Sequence, residues 1–251
     1  MGIKTEEINI KYASKTVFAN LFTPDTSGAH PAVIMSHGFN SSYGEWTNEC
    51  VWFSQHGYTA LAIDFCGGSL VSRSSGITRE MTVTSETEDL LASLDYIRAL
   101  PDIDKENIFL LGASQGGFVS ALAAARRPQQ VRSLALYYPA LCIPDDWSAR
   151  FPDPSAVPET FDLWGVELGR AYADDVRGLD PFAAISLYEG DVLILHGDKD
   201  PVVRYDYSQR AVSAYKNARL IKMEGEAHGF SPDASRRAML AVFDFFQAHL
   251  K

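Results

Sequence analysis

One serine in this chain lies in a pattern that can activate it. Gly112-Ala113-Ser114-Gln115-Gly116 sets Ser114 between glycines two residues before and two after. The preceding Ile108 to Leu111 is a short apolar run bounded by turn formers, and Phe118 to Arg127, with its alanines and a leucine, follows as a helix. A serine turned that sharply between strand and helix tolerates only small neighbours, because a β-carbon at either flank collides with the adjoining strand or helix. Its hydroxyl then stands above the sheet edge, at a helix N-terminus whose dipole favours developing negative charge. A serine hydroxyl is a poor nucleophile near neutral pH, so acyl transfer needs a base to take its proton and an acid to orient that base. His228, between Ala227 and Gly229 after the last apolar run, supplies the base. Two carboxylates compete for the acid, Asp198 and Asp200 in His196-Gly197-Asp198-Lys199-Asp200. Asp200, which opens a proline-led turn, matches the usual acid position after this strand and leaves Asp198 to the turn itself. A tetrahedral intermediate also needs two hydrogen-bond donors, expected from the backbone N–H groups of Gln115 and of Phe39 in His37-Gly38-Phe39.

The remaining chemical side chains read as structural. His37 and His196 sit at strand ends without a role in proton transfer, and Asp64 precedes the serine, where a hydrogen-bonding role fits better than that of a triad acid. Cys66 has no local base and reads as pocket wall or spectator. Cys50, Cys66 and Cys142 are too scattered for a disulfide framework, and His30, His56 and His249 lack ligand spacing, so neither metal nor cofactor is implied.

The elements that must position these residues follow from periodicity. Ile8 to Tyr12 and Thr16 to Phe22 alternate apolar and polar, as half-exposed strands of an edge hairpin do. Ala32–Ser36, Thr59–Ile63, Val131–Tyr138 and Asp191–Leu195 are continuous apolar runs suited to strands buried on both faces, and Arg219–Met223 adds another strand. Helices are expected over Trp46–Gln55, closed by Gly57, from a Ser85–Glu88 capping box to Pro101, over Tyr207–Tyr215, and from Ser231-Pro232 onward. That last helix is expected to bury Met239, Val242, Phe243, Phe246 and Leu250. Phe65 to Val83 is a Gly- and Ser-bearing loop long enough to line a site. From Leu141 to Pro181 the periodicity breaks down into prolines, aspartates and isolated aromatics, the pattern of an insertion whose rings are poorly placed to build a core of their own. Trp147, Phe161 and Trp164 are the candidate substrate-binding residues there. Buried strands alternating with helices imply one doubly wound, mostly parallel α/β domain over residues 1–251, with ligands gathered at the carboxyl ends of the strands.

Bulk properties set limits. The 251 residues carry a formal charge of −10, which argues against nucleic-acid or anionic-membrane partners, and 46% hydrophobic content suffices for a full core. The amino terminus lacks the apolar stretch of a signal peptide and no run reaches membrane-spanning length, so a cytoplasmic location is expected.

With these motifs placed, the chain resembles the α/β-hydrolase superfamily along nearly its whole length, and within it bacterial cinnamoyl (feruloyl) esterases. Asp64-Phe65 before a glycine loop and Met81-Thr82-Val83 entering an acidic helix start add to the likeness; Cys66-Gly67-Gly68 departs from the family's Gly-His-Gly. The resemblance implies an α/β-hydrolase fold with a lid over 141–181 after the sixth strand, Ser114, Asp200 and His228 as triad, and Phe39 and Gln115 as oxyanion donors. It further implies hydrolysis of small aromatic esters without a cofactor. Acetyl-sugar, short-chain and peptidase-like acyl hydrolysis remain open, as do a non-catalytic ligand-binding role and a homodimer.

Overall fold

Apolar runs with no polar face can only be strands covered on both sides, and the centre of the molecule is built from them. The computed structural model describes residues 2–251. In chain order the elements are β1 (Ile3–Tyr12), β2 (Lys15–Pro24), β3 (His30–Ser36), α1 (Thr47–Gln55), β4 (Thr59–Ile63), α2 (Val83–Ala99), β5 (Ile103–Ala113), α3 (Ser114–Arg126) and β6 (Ser133–Tyr137). Then come α4 (Ile143–Arg150), β7 (Thr160–Leu163), β8 (Val166–Gly169), α5 (Arg170–Val176), α6 (Pro181–Ile185), β9 (Asp191–Gly197), α7 (Tyr205–Ala214), β10 (Asn217–Met223) and α8 (Pro232–Ala248).

Eight strands form one sheet in the order β1-β2-β4-β3-β5-β6-β9-β10. The hairpin β1–β2 and the β2–β4 pair are antiparallel, and every pairing from β4 to β10 is parallel. This is the α/β-hydrolase arrangement, a mostly parallel sheet flanked by helices. The two-residue period of a strand divides each apolar run between two cores. Ile34, Leu110 and Ile194 face the layer holding α2, α3 and α7, while Met35, Leu111 and Leu195 face the layer holding α1 and α8. Because every parallel strand runs the same way, β3, β5, β6 and β9 deliver the residues after them to one edge.

Several expectations are corrected. The capping box of α2 is Thr82 with Ser85, not Ser85 with Glu88: the Ser85 N–H donates to Thr82 Oγ1 at 2.9 Å and the Thr82 N–H to Ser85 Oγ at 2.9 Å. Glu88 instead lies on the surface, ion-paired with Arg126 at 2.5 Å. The loop from Phe65 to Val83 packs on itself, on β2 and on β8, and does not line the cleft in front of Ser114. Gly67 has φ +68°, and a β-carbon there would lie 2.4 Å from the Ile77 carbonyl oxygen. Within 141–181 the aromatics pack together as part of the core on the α2 and α3 side rather than as a core of their own: the Trp147 ring centroid lies 4.8 Å from that of Phe161 and 5.4 Å from that of Tyr172, and Phe151 lies 5.5 Å from Phe161.

The last helix also buries a narrower face than its apolar residues suggest. Ala234, Ala238, Val242 and Phe246 are buried, whereas Leu250 lies beyond the helix end and is 37% exposed. Phe246 stacks on Phe109 of β5 with ring centroids 4.5 Å apart. Removing a fully buried phenylalanine costs about 3–5 kcal/mol, and trimming an exposed leucine well under about 1 kcal/mol. Phe246→Ala is therefore expected to shift the urea midpoint strongly while Leu250→Ala leaves it nearly in place, and equal midpoints in the two variants would contradict the burial.

Candidate active site

Ser114 is the first residue of α3, and its backbone is left-handed, with φ +53°. That region costs a non-glycine residue about 1–2 kcal/mol, and it persists only where the surroundings enforce it. Here the enforcement is close packing. A β-carbon on Gly112 would lie 2.4 Å from the Gly116 carbonyl oxygen, and one on Gly116 would lie 2.2 Å from the His37 carbonyl oxygen. The loop after β3 also runs close, though less so, since a β-carbon on Gly38 would stand 3.3 Å from the Ser114 Cβ. Gln115, second in α3, has a backbone N–H with no acceptor in its own helix, beside the seryl oxygen. Phe39 enters the same space from the β3 loop and lines the cleft in front of Ser114.

The Ser114 hydroxyl donates to His228 Nε2 at 3.0 Å, and His228 Nδ1–H donates to Asp200 Oδ2 at 2.7 Å. Asp200 rather than Asp198 thus meets the imidazole. Its other oxygen, Oδ1, accepts the N–H groups of Val202 at 2.8 Å and Val203 at 2.9 Å. Burial raises the Asp200 carboxyl, but hydrogen bonds from His196, His228 and the Val203 N–H outweigh it and hold the group well below the usual carboxylate range. Asp198 serves the turn, its Oδ1 accepting the Gly225 N–H at 2.7 Å.

The neighbouring histidines have structural partners. His196 Nε2 faces the Val203 carbonyl at 2.9 Å and Asp200 Oδ2 at 3.2 Å, so it carries the proton, while Nδ1 accepts the Ser208 hydroxyl at 2.6 Å. His37 donates from Nδ1 to the Gly38 carbonyl at 2.7 Å and accepts the Phe65 N–H at Nε2, and burial keeps its pKa low. Asp64 accepts the N–H groups of Tyr43 and Arg73, and burial pushes the Cys66 thiol up to about 12.

A cleft of about 450 Å³ opens in front of Ser114. Trp147, Leu163, Trp164 and Tyr172 from 141–181 line one wall, and Phe39, Val202 and Val203 another. Phe161 is not among the lining residues: it is buried in the aromatic cluster behind Trp147. The loop of Cys66 to Ser75 does not reach the cleft either. Tyr138 is a neighbour that no motif flagged. Its ring centroid lies 4.6 Å from that of His228, and its own φ is +36°. The only trace of it in the sequence is its place one residue past β6, at the edge where ligands collect.

Among the described residues no helix is long and apolar enough to cross a membrane. The fold is similar to that of Est1E from Butyrivibrio proteoclasticus in a structure with bound ferulic acid, with a TM-score of 0.88 and 25% identity over 96% of this chain and 98% of that one. Among curated sequences, quorum-quenching protein AidA of Acinetobacter baumannii is 32% identical over 109 residues, covering 42% of this chain and 35% of its own length. Epoxide hydrolase 3 of Siraitia grosvenorii is 26% identical over 107 residues, 43% of this chain and 32% of its own. The chain thus spans about a third of the length of these curated relatives. The model of the prolyl oligopeptidase family matches residues 45–251, the stretch that carries Ser114, Asp200 and His228, and the chain therefore belongs to that family within the α/β-hydrolase fold.

Proposed function

We propose that this protein is a serine carboxylester hydrolase with Ser114 as nucleophile, His228 as general base and acid, and Asp200 as the group that orients it. The observation that carries the reading is the unbroken hydrogen-bond chain from Ser114 through His228 to Asp200, with distances of 3.0 Å and 2.7 Å, at a serine held in a left-handed conformation. In this mechanism the Ser114 proton passes to His228 Nε2 as the oxygen adds to the ester carbonyl. The N–H groups of Gln115 and Phe39 take up the charge that develops on the carbonyl oxygen. His228 returns its proton to the departing alkoxide, leaving an acyl-enzyme, and water attacks the acyl-enzyme by the same steps. Asp200 fixes the Nδ1–H tautomer and stabilises the imidazolium.

Ser114→Ala is expected to lower kcat for p-nitrophenyl acetate by about 10⁴-fold or more with the fold intact, since losing a triad member costs that much. Asp200→Asn is expected to come close to that loss, while Asp198→Asn costs under about tenfold. The reverse ranking in steady-state kinetics would return the acid role to Asp198.

Activity is expected to fall as pH falls, because protonated His228 cannot accept the seryl proton. Asp200 adds no second step in this range. Its folded pKa is depressed, so its contribution to stability is complete above about 3.9, the unfolded value, and is lost only as pH falls below that. A kcat/KM profile with one-proton slope, in a protein whose circular dichroism is unchanged down to pH 5, fits. A profile flat from pH 5 to 8 removes the histidine.

For the acyl group, the apolar walls at Trp147 and Trp164 and the likeness to the ferulic-acid-bound Est1E favour a flat aromatic acid such as hydroxycinnamate, with residues 141–181 acting as a lid. Ring stacking adds about 0.5–1.5 kcal/mol beyond area burial, enough for several-fold selectivity. Trp147→Ala and Trp164→Ala are expected to lower the kcat/KM ratio of methyl ferulate to p-nitrophenyl octanoate several-fold, and unchanged ratios would leave these rings a passive cover. Family membership favours one other reading of the same triad, cleavage of peptide bonds. Turnover of a prolyl p-nitroanilide faster than of methyl ferulate would decide for it.

A further inference from the structure

Gln115 brings more than a backbone N–H to the elbow. Its side chain is buried, 3% exposed, and its amide is gripped at both ends by residues that are also buried, Glu86 and Tyr172, each 1% exposed. The Nε2–H donates to Glu86 Oε2 of α2 at 2.7 Å, and Oε1 accepts the Tyr172 hydroxyl of α5 at 2.5 Å. Tyr172 also belongs to the cleft wall and to the aromatic cluster of 141–181, with its ring edge-on to Trp147.

We propose that Glu86 and Tyr172 are positioning residues that aim the Gln115 N–H at the oxyanion through the Gln115 side chain, tying the seating of segment 141–181 to the power of the catalytic site. This rests on the serine hydrolase reading above. The geometry gives the device its force. An amide fixed by two partners on different elements cannot rotate, and its Cα sits beside the nucleophile, so a slack side chain leaves the backbone N–H of a one-residue neighbour free to tilt. A donor must lie about 2.7–3.1 Å from the developing oxyanion, so a small tilt is costly in the transition state and nearly without cost in the ground state.

The protonation states agree with the directions of the hydrogen bonds. Burial, followed by Glu86, Asp175 and Cys142, raises the Tyr172 hydroxyl far above its ordinary value, so it stays a donor. Burial also drives the Glu86 carboxyl well upward, with Asp89 of its own helix and Asp175 of α5 pushing the same way, against the Gln115 hydrogen bond and Lys15 of β2. Burial thus works against a full negative charge behind Gln115, while the carboxyl oxygen still accepts the Gln115 amide N–H. Space around it is tight as well: a β-carbon on Gly68 would lie 3.2 Å from Glu86 Oε1.

The test compares wild type, Tyr172→Phe, Glu86→Leu, Glu86→Gln and Ser114→Ala, using p-nitrophenyl acetate, whose acyl group is too small to span the cleft, and phenylboronic acid, which forms a tetrahedral adduct on an active serine. Tyr172→Phe and Glu86→Leu are expected to lower kcat about tenfold and weaken phenylboronate about tenfold, with KM within about twofold, a part of the 10²- to 10³-fold lost with a whole oxyanion donor. Glu86→Gln, which keeps an oxygen facing the Gln115 amide, is expected to recover most of the loss. A merely structural role would lower melting temperature without the kcat-against-KM split or the boronate effect, and that outcome overturns the proposal. Tyr172→Phe is the decisive variant should Glu86→Leu not fold; full kcat in a folded Tyr172→Phe beside an inert Ser114→Ala refutes the relay alone. Wild-type turnover in Ser114→Ala refutes the serine mechanism and the relay with it.

Discussion

The arrangement depends on one strained residue. Ser114 keeps φ +53° between a strand and a helix that approach too closely for any side chain at Gly112 or Gly116. The helix α3 starts at the serine itself, so the turn that lifts the hydroxyl also brings the N–H groups of the first turn up to it. The strain is tolerated because β5 lies in the middle of the sheet, paired on both sides with β3 and β6, and because α3 is buried along most of its length. An element anchored that firmly holds a left-handed serine without relaxing.

Asp200 and His228 are attached more softly, on loops after β9 and β10, and the structure compensates with hydrogen bonds. Asp200 is fixed by two backbone N–H groups of the loop that follows it, and His196, at the end of β9 itself, ties that loop back through the Val203 carbonyl. Tyr138 closes the far side of the His228 ring. The imidazole is therefore held by a carboxylate behind it and an aromatic ring beside it, which leaves Nε2 directed at the seryl oxygen.

Much of this was legible in the residues. The apolar runs of β3, β4, β5, β6 and β9 mark a buried parallel sheet because no other element needs both faces dry, and Gly112 and Gly116 mark a close approach because nothing larger fits. Less legible was whatever depends on packing between distant segments. The β7–β8 hairpin turns at Trp164-Gly165, both with positive φ, where asparagine or glycine is the usual signal, so a tryptophan hid it. Phe161 and Trp164 carry equal weight as isolated aromatics in the sequence, yet one is buried in a cluster and the other is 69% exposed at the cleft mouth, edge-on to Phe39. The start of α2 at Thr82 was obscured by Glu88, which completes a capping pattern on paper but pairs with Arg126 across the surface. Glu86 and Gln115, twenty-nine residues apart, have no sequence pattern that joins them.

Two buried carboxyls near the elbow show how the site places its charge. Burial raises both, and the hydrogen bonds each receives decide the outcome. Asp200 accepts two backbone N–H groups and two imidazoles, which together overcome burial and keep it ionised. Glu86 accepts one side-chain N–H and faces two other carboxylates, so burial prevails and drives it toward the neutral acid. The negative charge is thus held behind the imidazole, where in the proposed mechanism it would stabilise the imidazolium. Behind Gln115 burial works against a second negative charge. Burial pulls both carboxyls upward, and the hydrogen bonds each accepts decide that the two shift in opposite directions.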